Sequence, residues 1–455
     1  MNKQRTLSVI LALAWPTMLE QLMQTAVQYV DTAMVGALGT QATAAVGATS
    51  TVNWLVGSTV SAFGVGFLAY ISQAIGAKEL DRARRASGQV VTVVLAVGLF
   101  FTLVTTGLSG MVPVWMQVDR SIQRMASQYF LILYAPMLFR AASIVFGTVL
   151  RAAGDTKTPM RVGIGVNLLN ILLNYFLIYP TRQVVLGRFV MTMPGAGWGV
   201  IGAAAASAAA MTFGGIAITV MFWRHRDISP RGQSLRPDMT ILRPCFRVAL
   251  PNMLQRFATS FGYVAFASMI NALGDVSTAA HTIANTVESA FYIPGWGMQT
   301  AAATLAGNAW GALDEKQLGS LARTILPLEV GMMIVSGGLL FLFAPQLMRL
   351  FSKDEQVITL GATVLRMVAI SEPFYGVPIV FEGIMQGVGK TVAPFIFNVL
   401  GMWGVRIAGT WVCTNLLGFG LISAWACMIG HNLLLFALFT AHYLTGRWKP
   451  KAQET

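Results

Sequence analysis

Apolar residues run through this chain in stretches of twenty or more, separated by short polar breaks, and that pattern predicts helices. About 20 apolar residues at roughly 1.5 Å rise span the hydrocarbon core of a bilayer, about 30 Å thick. Twelve such stretches stand out, at 8–33, 44–72, 87–113, 122–150, 159–180, 197–223, 243–271, 277–310, 320–346, 357–386, 391–414 and 421–445. The first lies within Leu7–Gly39 (LSVILALAWPTMLEQLMQTAVQYVDTAMVGALG) and is polar on one side only. Glu20, Gln24, Gln28 and Asp31 fall within about 80° of arc at roughly 100° per residue. A carboxylate in hydrocarbon costs about 3 kcal/mol on insertion scales, so this stripe must turn to a partner helix or to water. It reads either as a structural seam or as the wall of a transport pathway, with Asp31 as an ion or proton site.

Composition sharpens this to an all-α polytopic membrane protein. The 455 residues are 55% hydrophobic and only 11% charged, with a mean hydropathy of +0.64, where soluble domains carry about 25% charged residues. The net charge of +13 changes the picture through its placement. Lys78/Arg82/Arg84/Arg85, Arg151/Lys157/Arg161, Arg224/Arg226/Arg231/Arg236/Arg243, Lys316/Arg323, Lys390 and Arg447/Lys449/Lys451 fall on the side that Lys3 and Arg5 occupy. The opposite loops hold few basic residues, among them Arg120, Arg182, Arg188, Arg349 and Lys353. The positive-inside rule then places both termini in the cytoplasm of a multi-pass protein of the cell membrane. It also removes a nucleic-acid reading, since no basic patch interleaves with aromatics on a soluble domain. Cys245, Cys413 and Cys427 form neither a metal spacing nor a disulfide framework, and the four histidines are dispersed. The first apolar run is too long and too acidic for a signal peptide and reads as a retained span.

The chain repeats itself. At an offset of 235, Trp15-Pro16-Thr17-Met18-Leu19 falls on Leu250-Pro251-Asn252-Met253-Leu254, and Ala37-Leu38-Gly39 on Ala272-Leu273-Gly274. Ala44-Ala45 meets Ala279-Ala280, Gly76-Ala77 meets Gly311-Ala312, and Gly154 and Pro159 meet Gly389 and Pro394. The register then slips. Gly197–Ala204 (GWGVIGAA) matches Gly418–Trp425 (GFGLISAW) at an offset of 221, so the first half carries an insert, assigned to Thr181–Pro194 and read as a small hairpin around Gly187. Six spans per half return the chain to its starting side. The halves therefore share an orientation and are related by a pseudo-two-fold axis along the membrane normal. This gives an N-terminal six-helix lobe at 1–224, a cytoplasmic linker at 225–240 and a C-terminal six-helix lobe at 241–455. Two such lobes suit alternating access around a central cavity, although duplication can also simply build a large bundle. Small-residue runs, GAAAASAAA and TAAATLAG, allow close helix packing. Pro16, Pro136, Pro251, Pro294, Pro327, Pro373 and Pro378 mark kinks or hinges.

The two copies differ in chemistry. Glu20, Gln24, Gln28 and Asp31 correspond to Gln255, Thr259, Tyr263 and Phe266, so one lobe offers acids and the other aromatic surface. That pairing suits a cationic amphiphile, because an aromatic face attracts a cation by about 0.5–2 kcal/mol. In the fifth span Asn170 and Asn174 share a face, with Ser207 on the next helix. They either bond helix to helix or offer oxygens beside Asp31 to a proton or a hard cation such as Na+. Glu288, on one face with His281, is a further substrate-site candidate in the second lobe. Glu329, Glu372, Glu382, Arg140, Arg256, Arg366 and Arg406 are the other ionisable groups within spans. No nucleophile–base–orienter set and no phosphate-cradling loop is present.

On WPTMLEQL…YVDTAMVGALG, LRAAGDTKTP, and NLLNILLN followed by GWGVIGAAAAS, the sequence resembles the multidrug and toxic compound extrusion (MATE) family along nearly its whole length. The resemblance implies export of cationic, often aromatic, compounds in exchange for entering protons or sodium ions, with no cofactor beyond the coupling ion. It implies a coupling role for Asp31, with Asn170, Asn174 and Ser207 beside it, and a substrate surface drawn from Glu20, Gln24, Gln28, Tyr263, Phe266 and Glu288. The chain departs from the pattern where many members have an acid at Asn174, a seventh-helix glutamate at Thr259, and a tenth-helix acid near Tyr375, one turn from Glu372. The reading expects a monomer in lipid that handles small organic cations. Its rivals are a lipid or oligosaccharide flippase and a membrane-embedded enzyme.

Overall fold

The computed structural model describes residues 3–116, 118–186 and 189–449. The first half runs α1 (Lys3–Gly36), α2 (Thr40–Gly76), α3 (Leu80–Gly107), a single turn α4 (Val112–Trp115), α5 (Arg120–Tyr134), α6 (Met137–Ala152), α7 (Lys157–Ile178), β1 (Pro180–Leu186), β2 (Phe189–Ala196) and α8 (Gly199–Arg224). The second half runs α9 (Met239–Asn271), α10 (Asp275–Phe291), α11 (Ile293–Gly311), α12 (Glu315–Arg349), α13 (Glu355–Gly387), α14 (Val392–Val399), α15 (Ala408–Trp411) and α16 (Leu421–Leu444). Two π-helical segments, Leu400–Ile407 and Val412–Leu416, join α14 to α15 and extend α15 into one span.

Among the described residues eight spans are long and apolar enough to cross a membrane unaided, and α5–α6, bent by 49°, makes a ninth. With α1, α9 and the α10–α11 pair the chain crosses twelve times, in two bundles of six. Those last three are the crossings with polar stripes or a break, which lowers their apolarity. Two of the expected proline positions coincide with breaks. Pro136 lies between α5 and α6, and Pro294 at the start of α11. A proline removes a backbone donor and clashes with the preceding turn. Pro16, Pro251, Pro327, Pro373 and Pro378 remain inside continuous helices.

The repeat is written into the backbone. Gly39 and Gly274 have φ of 111° and 103°, and Gly154 and Gly389 have φ of 84° and 80°, each pair 235 residues apart. These helix ends reverse the chain through conformations that only glycine adopts freely. Lys78 and Leu313, also 235 apart, share a left-handed φ of 62° and 54°. Asp119 and Asp354, again 235 apart, cap α5 and α13 by accepting from the N–H of Ser121 and Gln356, each at 2.8 Å. The Ser121 hydroxyl and N–H hold the Asp119 carboxyl below its usual range. After the slip, Gly197 and Gly418 both have φ of 68°, 221 apart. Between the two registers lies the inserted hairpin, with β1 antiparallel to β2 from Pro180↔Ala196 to Leu186↔Phe189. Its expected turn at Gly187 lies outside the described residues, as does Lys451.

The lobes meet near the ends of α2 and α11, at the end of the bundle that carries the linker. There a Cβ on Gly76 would overlap the Asn308 carbonyl oxygen, and a Cβ on Gly311 the Gln73 carbonyl oxygen. Residues 73 and 308 are themselves 235 apart, so the contact is a pseudo-two-fold one. One step further in, Gly307 faces Ser72, and Gln73 Nε2 donates to the Gly387 carbonyl at 3.0 Å. The same symmetry packs α9 on α2, where Gly66 lies against the Cys245 backbone, and α1 on α11, where Gly297 lies against Ala14 and Met18. Ile10, Leu13 and Ala14 of α1 are consequently buried in the core of the second lobe.

The linker is strapped to α3. Gln89, buried, donates to the carbonyls of Ser234 at 3.3 Å and Arg236 at 2.9 Å and accepts from the Asp238 N–H at 2.9 Å. Thr92 donates to the Leu235 carbonyl at 2.8 Å. Gly88 leaves the room, since a Cβ there would stand 2.9 Å from Gln233 Cβ.

Candidate functional site

Asp31 lies five residues before the end of α1, half-buried, and faces α7. Asn170 and Asn174 are one turn apart on α7, so both amides project to the same side and both are buried. Asn174 Nδ2 donates to Asp31 Oδ1 at 2.6 Å. With the Asn170 amide turned to satisfy its neighbours, its Nδ2 stands 2.9 and 3.0 Å from the two Asp31 oxygens, and its carbonyl accepts from Ser207 Oγ at 3.1 Å. The structure therefore brings Asp31, Asn170, Asn174 and Ser207 into one network.

Amide N–H groups aimed at a carboxylate stabilise its charge. The arrangement is that of an ionised Asp31 with no cation beside it. Asn174 Oδ1 is buried and makes no hydrogen bond. A half-turn of either amide exchanges its N–H for an oxygen donor, which is what a sodium ion at Asp31 would require. A proton on Asp31 needs only one such exchange. The donor set accommodates both ions.

The rest of the first stripe is divided. Glu20 is taken up by Arg151 of α6, with Oε2 2.6 Å from Nη2 and side chains 19% and 17% exposed. Gln24 and Gln28 are exposed between the two acids. Glu20→Gln should therefore lower thermal stability rather than substrate handling, because it strands the Arg151 guanidinium, whose Nε already lacks a partner. The expected loss is about 1–3 kcal/mol, below the range for a fully dry pair. A thermal-shift assay in detergent reads it, with cation binding changing less than about twofold. A tenfold loss of cation affinity instead would return Glu20 to the substrate path.

In the second lobe the equivalent of Asp31 is Phe266, 1% exposed, and that of Gln28 is Tyr263, 44% exposed. The Arg406 guanidinium lies over both rings, 4.3 Å from the Phe266 centroid and 4.9 Å from that of Tyr263. The aromatic surface expected to meet a foreign cation thus already holds one of the protein's own. Arg406 is carried by the first π-helical segment, a local winding common at functional positions. Glu288 is buried and accepts from the Tyr292 hydroxyl. His281 accepts from Trp425 Nε1 at 3.3 Å and packs edge-on against Phe266. Glu382 accepts from Gln255 at 2.9 Å and Gln386 at 3.1 Å. Glu329 and Glu372 are buried with no hydrogen bond among the described residues. A bare carboxylate there would cost several kcal/mol.

Residues that sequence reasoning passed over are Asn53, Tyr129 and Tyr134, which surround Arg140. Asn53 Oδ1 accepts from Arg140 Nη1 and, at 3.3 Å, from the Tyr134 hydroxyl. The available signal was the repeat, since the offset of 235 carries neutral Asn53 onto Glu288 and Arg140 onto Tyr375.

Comparison with known proteins follows this geometry. The MatE family model matches residues 16–176 and again 251–412, the second match beginning 235 residues after the first. The chain is 26% identical over 443 residues to the probable multidrug resistance protein NorM of Thermotoga maritima, covering 97% of this chain and 93% of that one. Its fold is similar to that of a solved multidrug resistance MATE family transporter in an outward-facing conformation (TM-score 0.87, 22% identity, 97% and 95% of the two chains). It is also similar to that of the Vibrio cholerae MATE transporter VcmN (TM-score 0.88, 19% identity, 98% and 97%).

Proposed function

The chain belongs to the MatE family of membrane transporters, and from that premise we propose that it is a secondary active antiporter. It exports cationic, amphiphilic drugs or toxic metabolites and takes in a proton or a sodium ion, by alternating access. The observation that carries this reading is the Asp31 network, a half-buried carboxylate held by rotatable amides and a hydroxyl. A single negative site open to either a small ion or an organic cation exchanges one for the other by competition, with no need of nucleotide chemistry. Asp31 is the ion-coupling residue, and Asn170, Asn174 and Ser207 supply its neutral partners. The basic clusters place the linker end and both termini in the cytoplasm of the cell membrane. The α2–α11 contact then closes the protein toward the cytoplasm in the conformation described. One chain contains both lobes and works as a monomer in lipid.

The test is reconstitution into proteoliposomes loaded with a fluorescent organic cation, with a pH gradient or a sodium gradient imposed separately. Efflux should accelerate under one of them and stop when that gradient is collapsed. Efflux indifferent to both would overturn the proposal.

A further inference from the structure

Arg140 is the charged group of the first lobe that ion exchange leaves unused. It projects from α6 toward α2, where its guanidinium donates to Asn53. Among the described residues no carboxylate lies within 4.0 Å of it. Opposite it α2 carries Gly57, where a Cβ would stand 3.1 Å from Arg140 Nη2, so even alanine would press on the guanidinium. The side chain is half-buried rather than sealed. Tyr129 of α5 is in Coulombic reach of both Asp31 and Arg140, which places the two opposite charges in one neighbourhood.

They do not pair. Asp31 takes its hydrogen bond from Asn174, and Arg140 gives one to Asn53, whose oxygen also holds Tyr134. Each charge is satisfied by neutral groups while its opposite stands near, unpaired. Opposite charges attract strongly at low dielectric, so such separation leaves each open to a partner from outside. A guanidinium has five N–H donors in a planar fork, and Asn53 uses one. The group that matches a fork of this kind is a carboxylate. Nor does the fold itself call for the arrangement, since Asn53, Gly57 and Arg140 are replaced in the other lobe by Glu288, Tyr292 and Tyr375.

We propose that Arg140 anchors the carboxylate of a zwitterionic amphiphile whose amine faces Asp31. This rests on the export reading above and narrows its substrate class, from organic cations in general to amines that also carry an acid. The test uses a fluorescent amino acid amphiphile and its methyl ester, a matched pair differing only in the negative charge. Wild-type protein should bind and export the acid at least tenfold better than the ester. Arg140→Met should bring the acid down to the level of the ester while changing the ester less than twofold, and Arg140→Lys should recover part of the difference. Wild-type protein that exports acid and ester alike overturns the proposal and leaves the export reading standing, and it does so whether or not the variants fold. Equal slowing of both probes by Arg140→Met, with no recovery by lysine, overturns it as well. Wild-type protein that exports neither probe under any gradient overturns the export reading and this proposal together.

Discussion

Asp31→Asn should abolish gradient-driven efflux of an organic cation, reducing its rate in proteoliposomes at least tenfold, while the protein inserts and folds as before. Folding survives because the substituted amide keeps an oxygen for Asn174 Nδ2, now 2.6 Å from Asp31 Oδ1, and fills the same volume. What disappears is the only charge in the network. A cation about 4 Å from a carboxylate at an effective dielectric near 20 gains about 4 kcal/mol. Losing even half of that weakens binding about thirtyfold, at about 1.4 kcal/mol per decade. Both competitors lose the same site, so the ion can no longer displace the substrate. Asp31→Glu, which keeps the charge but moves it by one methylene, should retain part of the activity. Asn174→Ala should act more mildly, since Asn170 can still reach both Asp31 oxygens when its amide is turned. If Asp31→Asn vesicles empty as fast as wild type under the driving gradient, the coupling assignment is wrong.

What the sequence could reveal of this molecule was governed by range. The repeat was legible because each half must reverse the chain at the same places, and those reversals need glycine. The Gly39/Gly274 and Gly154/Gly389 pairs found by shifting the sequence are the positions where φ is positive. The inserted hairpin was legible for the same reason, as the number of residues by which the register slipped. Asn170, Asn174 and Asp31 could be grouped because amides one turn apart on an apolar helix need a partner, and the acid on the first span was the obvious one. Charge pairing across helices was not legible. Glu20 looked like part of the Asp31 stripe, but α6 brings Arg151 against it. Tyr263 and Phe266 looked free for a ligand, but the π-helical winding at Leu400–Ile407 brings Arg406 over them. Neither helix packing nor a change of winding is encoded in the spacing of a single segment.

Compared across the pseudo-two-fold axis, the lobes are alike in backbone and opposite in polarity. The first lobe carries an acid on α1 and a base on α6. At the matching places the second carries Phe266 and Tyr375, with its base on the eleventh span and its buried acids on α10, α12 and α13. The duplicated scaffold thus keeps the helix contacts needed for rocking and varies the groups that meet cargo. The contact that both lobes share should then be the least tolerant of change.

That contact supplies the second large effect. Gly311→Leu should block transport, at least tenfold in efflux rate, by preventing the lobes from closing at the linker end. The clash is with backbone. A Cβ on Gly311 meets the Gln73 carbonyl oxygen, and one on Gly76 meets that of Asn308. Neither carbonyl can swing aside as a side-chain tip would, so the lobes must part. Overpacking a close interface costs about 1–3 kcal/mol. Conformers of an alternating-access protein differ by only a few kcal/mol, so the closed state should fall about 5- to 150-fold in population. Gly311→Ala should show an intermediate loss, and Gly76→Leu should reproduce the block from the other side of the axis. The readout is a disulfide cross-link between Gln73→Cys and Asn308→Cys, which should form readily in the parent and fail once Gly311→Leu is added. Glycines beyond this contact provide the control. Gly319 and Gly331 have open space around them, so alanine at either should leave both cross-linking and efflux near the parent level. Efflux lost with the cross-link still forming would mean that Gly311 acts on something other than closure.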